Sequence, residues 1–399
     1  MRKALFFILG LLVFTACDLL REQHVAQVVQ KDSIPKDSLI LKSVIKPAVI
    51  YPDTALDRLA RFISGINQAD SNSYRVIEDS RHWLEYSATI RRSWDNMEAS
   101  RLLPMQMWQQ DQLAPRINDS LTLFYPFGGP DLLHAAILYP YTKEFILAGL
   151  EPITEVPDFP LLDDLRQDQY LDSLAGSLRD IFGKSFFITN NMKKDLRQVR
   201  GVIPLFMIFI SKTGHEVTDL HYITLDESGN EQEVNFADLS SFIVKGLRLE
   251  YRSMGGGGVK KLYYFSGDVS NPGLSSRKNL LSFLERRKPF NTFIKSASYL
   301  MHQDLFSGIR NLILENSASV LEDDTGIPYR FLKGNSYEGF LFGNYVRPVK
   351  DFIWLDKQVD LDSAYQVHSS PLPFSLGYHW GSGKQNYMLF IRKSPIFAL

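Results

Sequence analysis

The chain holds a single cysteine, Cys17, among its 399 residues. No internal disulfide can form, and beyond that position there is no thiol nucleophile or thiolate-based zinc site. An excess of charge of either sign is lacking too. Lys and Arg number 44 against 45 Asp and Glu, for a formal net charge of -1. That balance creates no field that would select nucleic acid or an acidic membrane surface. Complete catalytic motifs are also missing. Gly183-Lys184-Ser185 has Leu178 where a phosphate loop needs its first glycine, and Gly383-Lys384 has Tyr378 upstream and Gln385 after it. There is no G-x-S-x-G nucleophile elbow. His215-Glu216 opens like a zinc-protease helix, but Asp219 stands where the second histidine belongs.

What is present describes a globular chain with an exported start. Hydrophobic residues make up 45% and charged residues 22%, enough for a sizeable core. Aromatic residues reach 13%, which argues against disorder over most of the length. Arg2 and Lys3 precede an apolar run at residues 4–14, too short to cross a hydrocarbon core of ~30 Å as a helix. Small residues Thr15 and Ala16 then lead to Cys17. This is the layout of an export signal. It resembles a bacterial lipoprotein signal, with Phe14 as a departure from the usual aliphatic residue. The resemblance implies that Cys17 is acylated and becomes the first mature residue. Several acyl chains on one residue would anchor stably, at about 0.8 kcal/mol per buried CH2. Residues 18–52 read as a tether with a reach of roughly 30 Å. The expected organisation is therefore a signal at 1–17, a tether at 18–52 and one globular unit at 53–399. Within that unit, residues 53–120 are helical and 121–399 form a mixed part.

Apolar spacing predicts helices at 54–66, 80–101 and 161–182. Ser80 or Asp79 caps the second, and Pro104 halts its continuation. Residues 121–153 read as strand, Gly-Gly-Pro turn, short helix and strand. The wholly apolar stretch at 201–211 reads as a strand buried on both faces. Hairpin turns are expected at 211–214, 226–230 and 255–258. Helices at 276–286 and 294–316 follow, and the tail closes in a hairpin turning at 381–384. The sum is an α+β fold: N-terminal helices, then a mixed, largely antiparallel sheet with packed helices.

Four places could carry chemistry. Gly128-Gly129-Pro130-Asp131 opens a helix after a strand, where free N–H groups suit an anion, and His134 shares the face of Asp131. Helix capping by Asp131 is the simpler reading. His302, on a 294–316 helix, would point inward as a satisfied core histidine or an acid-base group lining a cleft. His215, Asp219 and His221 would share one strand face and could hold a transition metal; a solvated face is the preferred reading, so no metal and no cofactor are expected. In Glu322-Asp323-Asp324-Thr325-Gly326, a tight turn after a helix is the simpler reading; in the functional one Asp324 faces that turn, in which Gly326 supplies positive φ, and Asp323 faces a groove as the ligand-binding carboxylate.

YPFGGPDLLHA, LAGLEPI, KSASYLMHQDLFSGIRNLILENSASVLEDDTGIPYRF and FGNYVRP resemble segments of a family of uncharacterised bacterial secreted proteins and lipoproteins. The resemblance implies export and a single folded unit, and it carries no mechanism. The sequence thus points to a lipid-anchored protein of the bacterial cell envelope, periplasmic or surface facing. Its membrane contact is the N-terminal lipid. Its expected task is binding a peptide, glycan or lipid in an aromatic-rich cleft, with Gly128, Gly129, Asp131, His134 and Asp323 at the site. The alternative is an envelope hydrolase using Asp323, Asp324, Asp131 and His302.

Overall fold

Apolar alternation at period two builds one sheet with two buried faces. A computed structural model describes residues 55–68, 74–156, 158–187, 201–334, 336–352, 355–379 and 383–394. Cys17, the signal segment and the tether lie outside the described residues. The strands are β1 Leu123–Tyr125, β2 Glu144–Gly149, β3 His215–Leu225, β4 Glu231–Val234, β5 Lys245–Ser253, β6 Lys260–Ser266, β7 Phe290–Ile294, β8 Ser317–Glu322, β9 Tyr337–Gly343 and β10 Asn386–Arg392. They join in the order β4-β3-β5-β6-β2-β1-β7-β8-β10-β9. The fold is α+β, with a mixed sheet and packed helices.

The sheet changes character across its width. Its centre, β6-β2-β1-β7-β8, is parallel throughout. Both flanks are antiparallel, β4-β3-β5 against β6 on one side and β10-β9 against β8 on the other. Alternate residues feed two cores. Leu123, Tyr125, Phe145 and Leu147 pack on one face with the helices Arg81–Met97, Leu132–Leu138, Asp164–Lys184 and Ile203–Lys212. Phe124, Ile146, Ile294 and Val320 pack on the other with Lys278–Glu285 and Ser307–Asn316. The chain leaves β1 for β2 over the first face and leaves β7 for β8 over the second. The two crossovers diverge, so a crevice opens between β1 and β7 at the carboxyl edge of the strands, where open parallel sheets place ligands.

Several local expectations meet tertiary overrides. The stripe Trp83, Tyr86, Ile90, Trp94 and Met97 is buried as the spacing predicts, and Trp83 N–H donates to Ser80 Oγ at 3.2 Å. Pro104 does not end the helix. Helical backbone runs on through Leu103–Trp108, with wider turns at Glu98–Leu102 and Gln109–Leu113. A widened turn re-routes the ladder where proline offers no N–H. In Asp164–Lys184, Leu174, Leu178 and Ile181 are buried, but Leu165 is exposed and Leu162 precedes the helix. Residues Ile203–Lys212 form a helix and not a strand, with every side chain from Ile203 to Ser211 buried. A helix buried all round and a doubly buried strand have the same apolar run, and Pro204 in the first turn favours the helix. Residues 211–214 accordingly turn from helix to strand and close no hairpin. In the tail, residues 374–379 form no strand and β10 pairs with β8 and β9; residues 380–382 of the expected turn lie outside the described residues.

The expected 294–316 helix is also divided. Ile294 closes β7, short 3-10 turns cover Leu300–His302 and Asp304–Phe306, and the helix proper is Ser307–Asn316. Among the described residues no helix is long and apolar enough to cross a membrane.

Candidate functional site

Five parallel strands end at one edge, and each is followed at once by polar residues. After β1 comes Pro126 to Asp131, after β2 Leu150-Glu151, after β6 Gly267-Asp268, after β7 Lys295-Ser296 and after β8 Asp323-Asp324. The first four segments line a cleft of about 190 Å³. Tyr125, Phe127, Phe186, Phe187, Phe306 and Tyr378 are among its lining residues. Phe186 meets Tyr378 edge-on at 4.7 Å, and Phe127 meets Phe306 at 6.2 Å.

Asp131 and Lys295 meet where the crossovers diverge. Lys295 Nζ lies 2.6 Å from Asp131 Oδ2, and both side chains are almost fully buried. Tyr125 O–H donates to Asp131 Oδ2 at 3.2 Å, and His134 Nδ1 sits 2.8 Å from Asp131 Oδ1. Asp131 also accepts from His134 N–H and so caps the Leu132–Leu138 helix, as the simpler reading expects. Burial alone would raise the Asp131 carboxyl, but His134 and Lys295 outweigh it and hold the value at about 2. Burial lowers Lys295, and Asp131 pulls against that. His134 is pushed down to about 4, chiefly by burial, and is therefore neutral near pH 7.

The lysine is also held from behind. Its ammonium donates to the carbonyl of Ser185, the left-handed C-cap (φ 74) of Asp164–Lys184. Arg101 donates to the Ile181 carbonyl at 2.9 Å and the Gly183 carbonyl at 3.2 Å of the same terminus. A helix C-terminus carries partial negative charge and suits these cations. Gly183-Lys184-Ser185 therefore ends a helix, the wrong pole for a phosphate. Gly128 and Gly129 do stand at the strand-to-helix junction. Gly129 has φ 50, and a Cβ there would approach the Glu151 carboxylate at 3.1 Å.

Glu322-Asp323-Asp324-Thr325 follows a strand, not a helix, and its carboxylates take different parts from those expected. Asp323 is the turn residue: Oδ1 accepts from Thr325 N–H at 3.1 Å and from the Thr325 hydroxyl. Its Oδ2 accepts from Ser296 N–H at 3.0 Å, and Ala297 N–H reaches Thr325 Oγ1 at 2.7 Å. Asp324 faces the other way. It accepts from Tyr299 O–H at 2.6 Å and Asn386 Nδ2 at 3.1 Å, with His379 Nε2 at 3.2 Å. Glu322 Oε2 accepts from Ile327 N–H at 2.7 Å and crowds the place where a Cβ on Gly326 would go. Gly326 thus makes room for a carboxylate; it is not among the glycines at positive φ. Burial, then Asp324, raises Asp323 to about 6. The three acids form a buried clasp. Within it Asp323 holds Ser296, Thr325 holds Ala297 and Asp324 holds Tyr299, and Ser296, Ser298 and Tyr299 adopt positive φ of 54, 53 and 55. Non-glycine residues in that region persist only where their surroundings over-determine them.

The expected site residues divide accordingly. Gly128, Gly129 and Asp131 line the cleft, while His134, Asp323 and Asp324 lie behind its lining. His302 is in a 3-10 turn, edge-on to Tyr299 at 5.2 Å, away from the cleft; burial pushes it down to about 4. On β3 a bulge between Val217 and Asp219 breaks the alternation. His215 packs on Tyr251, and His221 lies between Asp219 at 2.9 Å and Glu233 at 3.1 Å. Among the described residues no group of three or more His, Cys, Asp or Glu is placed to hold a metal ion. Sequence reasoning missed Lys295 and Glu151. Their signal was position, directly after an apolar strand, and it became readable only with the strands in order. No protein-family model, curated protein or solved structure matches the chain.

Proposed function

We propose that this chain is a lipid-anchored protein of the bacterial cell envelope that binds a small organic ligand, or the end of a larger one, in the aromatic cleft at the carboxyl edge of its parallel strands. The observation that carries the reading is the cleft itself. An apolar, aromatic wall with a few converging polar groups, at the point where crossovers diverge, is the usual form of a ligand site. Hydrolysis finds less support. Asp131 is engaged by Lys295, Asp323 and Asp324 are engaged in the clasp, and His302 sits elsewhere. Among the described residues Ser296 Oγ is buried with no hydrogen-bond partner, so none of them is in place as a base to activate it. The anchor rests on the segment ending at Cys17 and on the resemblance to secreted lipoproteins.

Two measurements check the two halves. A thermal-shift screen of amines, organic acids, sugars and short peptides on the purified full-length chain is expected to give stabilising hits, and Tyr378→Ala is expected to abolish them. Hits that survive Tyr378→Ala would place the site elsewhere. Cys17→Ser is expected to stop processing and to move the protein out of the detergent phase. Unchanged partitioning would remove the anchor.

A further inference from the structure

We propose that the cleft takes an organic ammonium group, with Glu151 as its counter-ion and the facing aromatic rings as its walls. This rests on the ligand-binding reading above and names the chemistry of the ligand. The first support is charge. The cleft is lined by Asp131, Glu151 and Asp268 against one base, Lys295. Lys295 is already engaged by Asp131 at 2.6 Å. Asp268 is occupied locally, accepting from Ser270 N–H at 2.8 Å and from the Ser270 hydroxyl. Glu151 remains.

The second support is the setting of Glu151. Its carboxylate folds back over Gly129 and Gly149, where added Cβ atoms would collide with it or press on it, and Tyr264 O–H donates to Oε2 at 3.2 Å. Among the described residues it has no ion pair. Burial raises its pKa, opposed by hydrogen bonds from the Glu151 and Leu150 backbone and from Tyr264, with no cation among the described residues contributing. A partly desolvated carboxylate without a cation is a standing cost, and a bound ammonium would remove it. The third support is the wall. The pairs Phe186–Tyr378 and Phe127–Phe306 line the same cleft as that carboxylate, and aromatic faces attract cations. A carboxylic acid would be repelled by Glu151, and a neutral sugar or alcohol would bring no positive charge to offset it. The ammonium could belong to a free aralkyl amine or to the amino terminus of a peptide.

The test uses the full-length protein and titration calorimetry at pH 7.5. The probes are 2-phenylethylamine, 2-phenylethanol, 3-phenylpropanoate, phenylalanyl-glycinamide and its N-acetylated form. At least one of the two free amines is expected to bind tenfold or more tighter than 2-phenylethanol, with 3-phenylpropanoate weakest. Preference for phenylalanyl-glycinamide over both 2-phenylethylamine and the acetylated form identifies a peptide terminus as the source; the reverse order identifies a free amine. Glu151→Gln is expected to weaken the amine at least tenfold and to leave 2-phenylethanol unchanged. Equal affinity for alcohol and amine, preference for the acid, or an amine affinity indifferent to Glu151→Gln overturns the inference while the cleft stands. If none of the five probes binds, the inference is overturned, and the cleft reading is decided separately by the thermal-shift screen and Tyr378→Ala.

Discussion

Lys295→Met is expected to destabilise the folded chain by about 3–5 kcal/mol, measured by urea unfolding at pH 7. The substitution leaves the Asp131 carboxylate buried without its cation, and breaking one side of a buried pair costs far more than the pair contributes. Asp131 would keep Tyr125 and His134, which places the expected loss at the lower end of that range. Adding Asp131→Asn to Lys295→Met removes the stranded charge, and the double variant is expected to recover at least half of the loss. A loss under about 0.5 kcal/mol for the single variant, the ordinary scatter of surface changes, would mean that the pair is not buried as described. The same carboxylate makes a pH prediction. Its folded value is about 2, below the unfolded value of about 3.9. A depressed acid stabilises fully above the unfolded value and loses its contribution as pH falls toward the folded one. The stability gap between wild type and Asp131→Asn is therefore expected to be constant above about pH 4 and to shrink from pH 4 to pH 2.

Asp324→Ala and Asp323→Asn are both expected to destabilise, and for different reasons. Asp324 is fully buried, and its loss leaves the Tyr299 hydroxyl and the Asn386 amide short of an acceptor while removing the carboxylate beside His379. The expected cost is about 3–5 kcal/mol. Asp323→Asn is subtler. Both carboxylate oxygens accept from donors, Thr325 on one side and Ser296 N–H on the other. An amide must turn its NH2 toward one of them, losing a bond and facing donor to donor, at about 1–3 kcal/mol. Ser296 and Ala297 line the cleft and hang from this clasp, so Asp323→Asn is also expected to weaken the ligand response. Melting curves of both variants decide the matter. If Asp323→Asn melts like wild type, the clasp is not what holds the cleft wall.

Much of the fold was legible one element at a time. The Trp83 to Met97 stripe, the Ser80 cap, the turn at Gly128-Gly129 and the Asp131 cap are all local. Each needs only neighbours within one helical turn or one strand end, and such neighbours are adjacent in sequence. The failures share a different physics. Residues 203–211 are apolar whichever structure they adopt, so only packing between other helices and the sheet makes them a helix. The positive φ of Ser296, Ser298 and Tyr299 runs against their residue type. It is held by Asp323 and Thr325, 27 to 28 residues away at the two clasp bonds from Ser296 and Ala297.

The sequence by itself determined a cysteine-poor chain of α+β type, the junction at Gly128-Gly129 and a polar cluster after Leu321. Hydropathy, chain stiffness and turn chemistry are properties of short segments, and they survive without the fold. Tertiary structure alone decided which polar residues meet. Asp131 and Lys295 are far apart in sequence and 2.6 Å apart in space, because β1 and β7 are neighbours with crossovers that diverge. Strand order also decided that Asp323 grips a neighbouring loop while Glu151 stands at the cleft without a cation among the described residues. Where a carboxylate points depends on which donors long-range pairing brings beside it, and no local pattern encodes that.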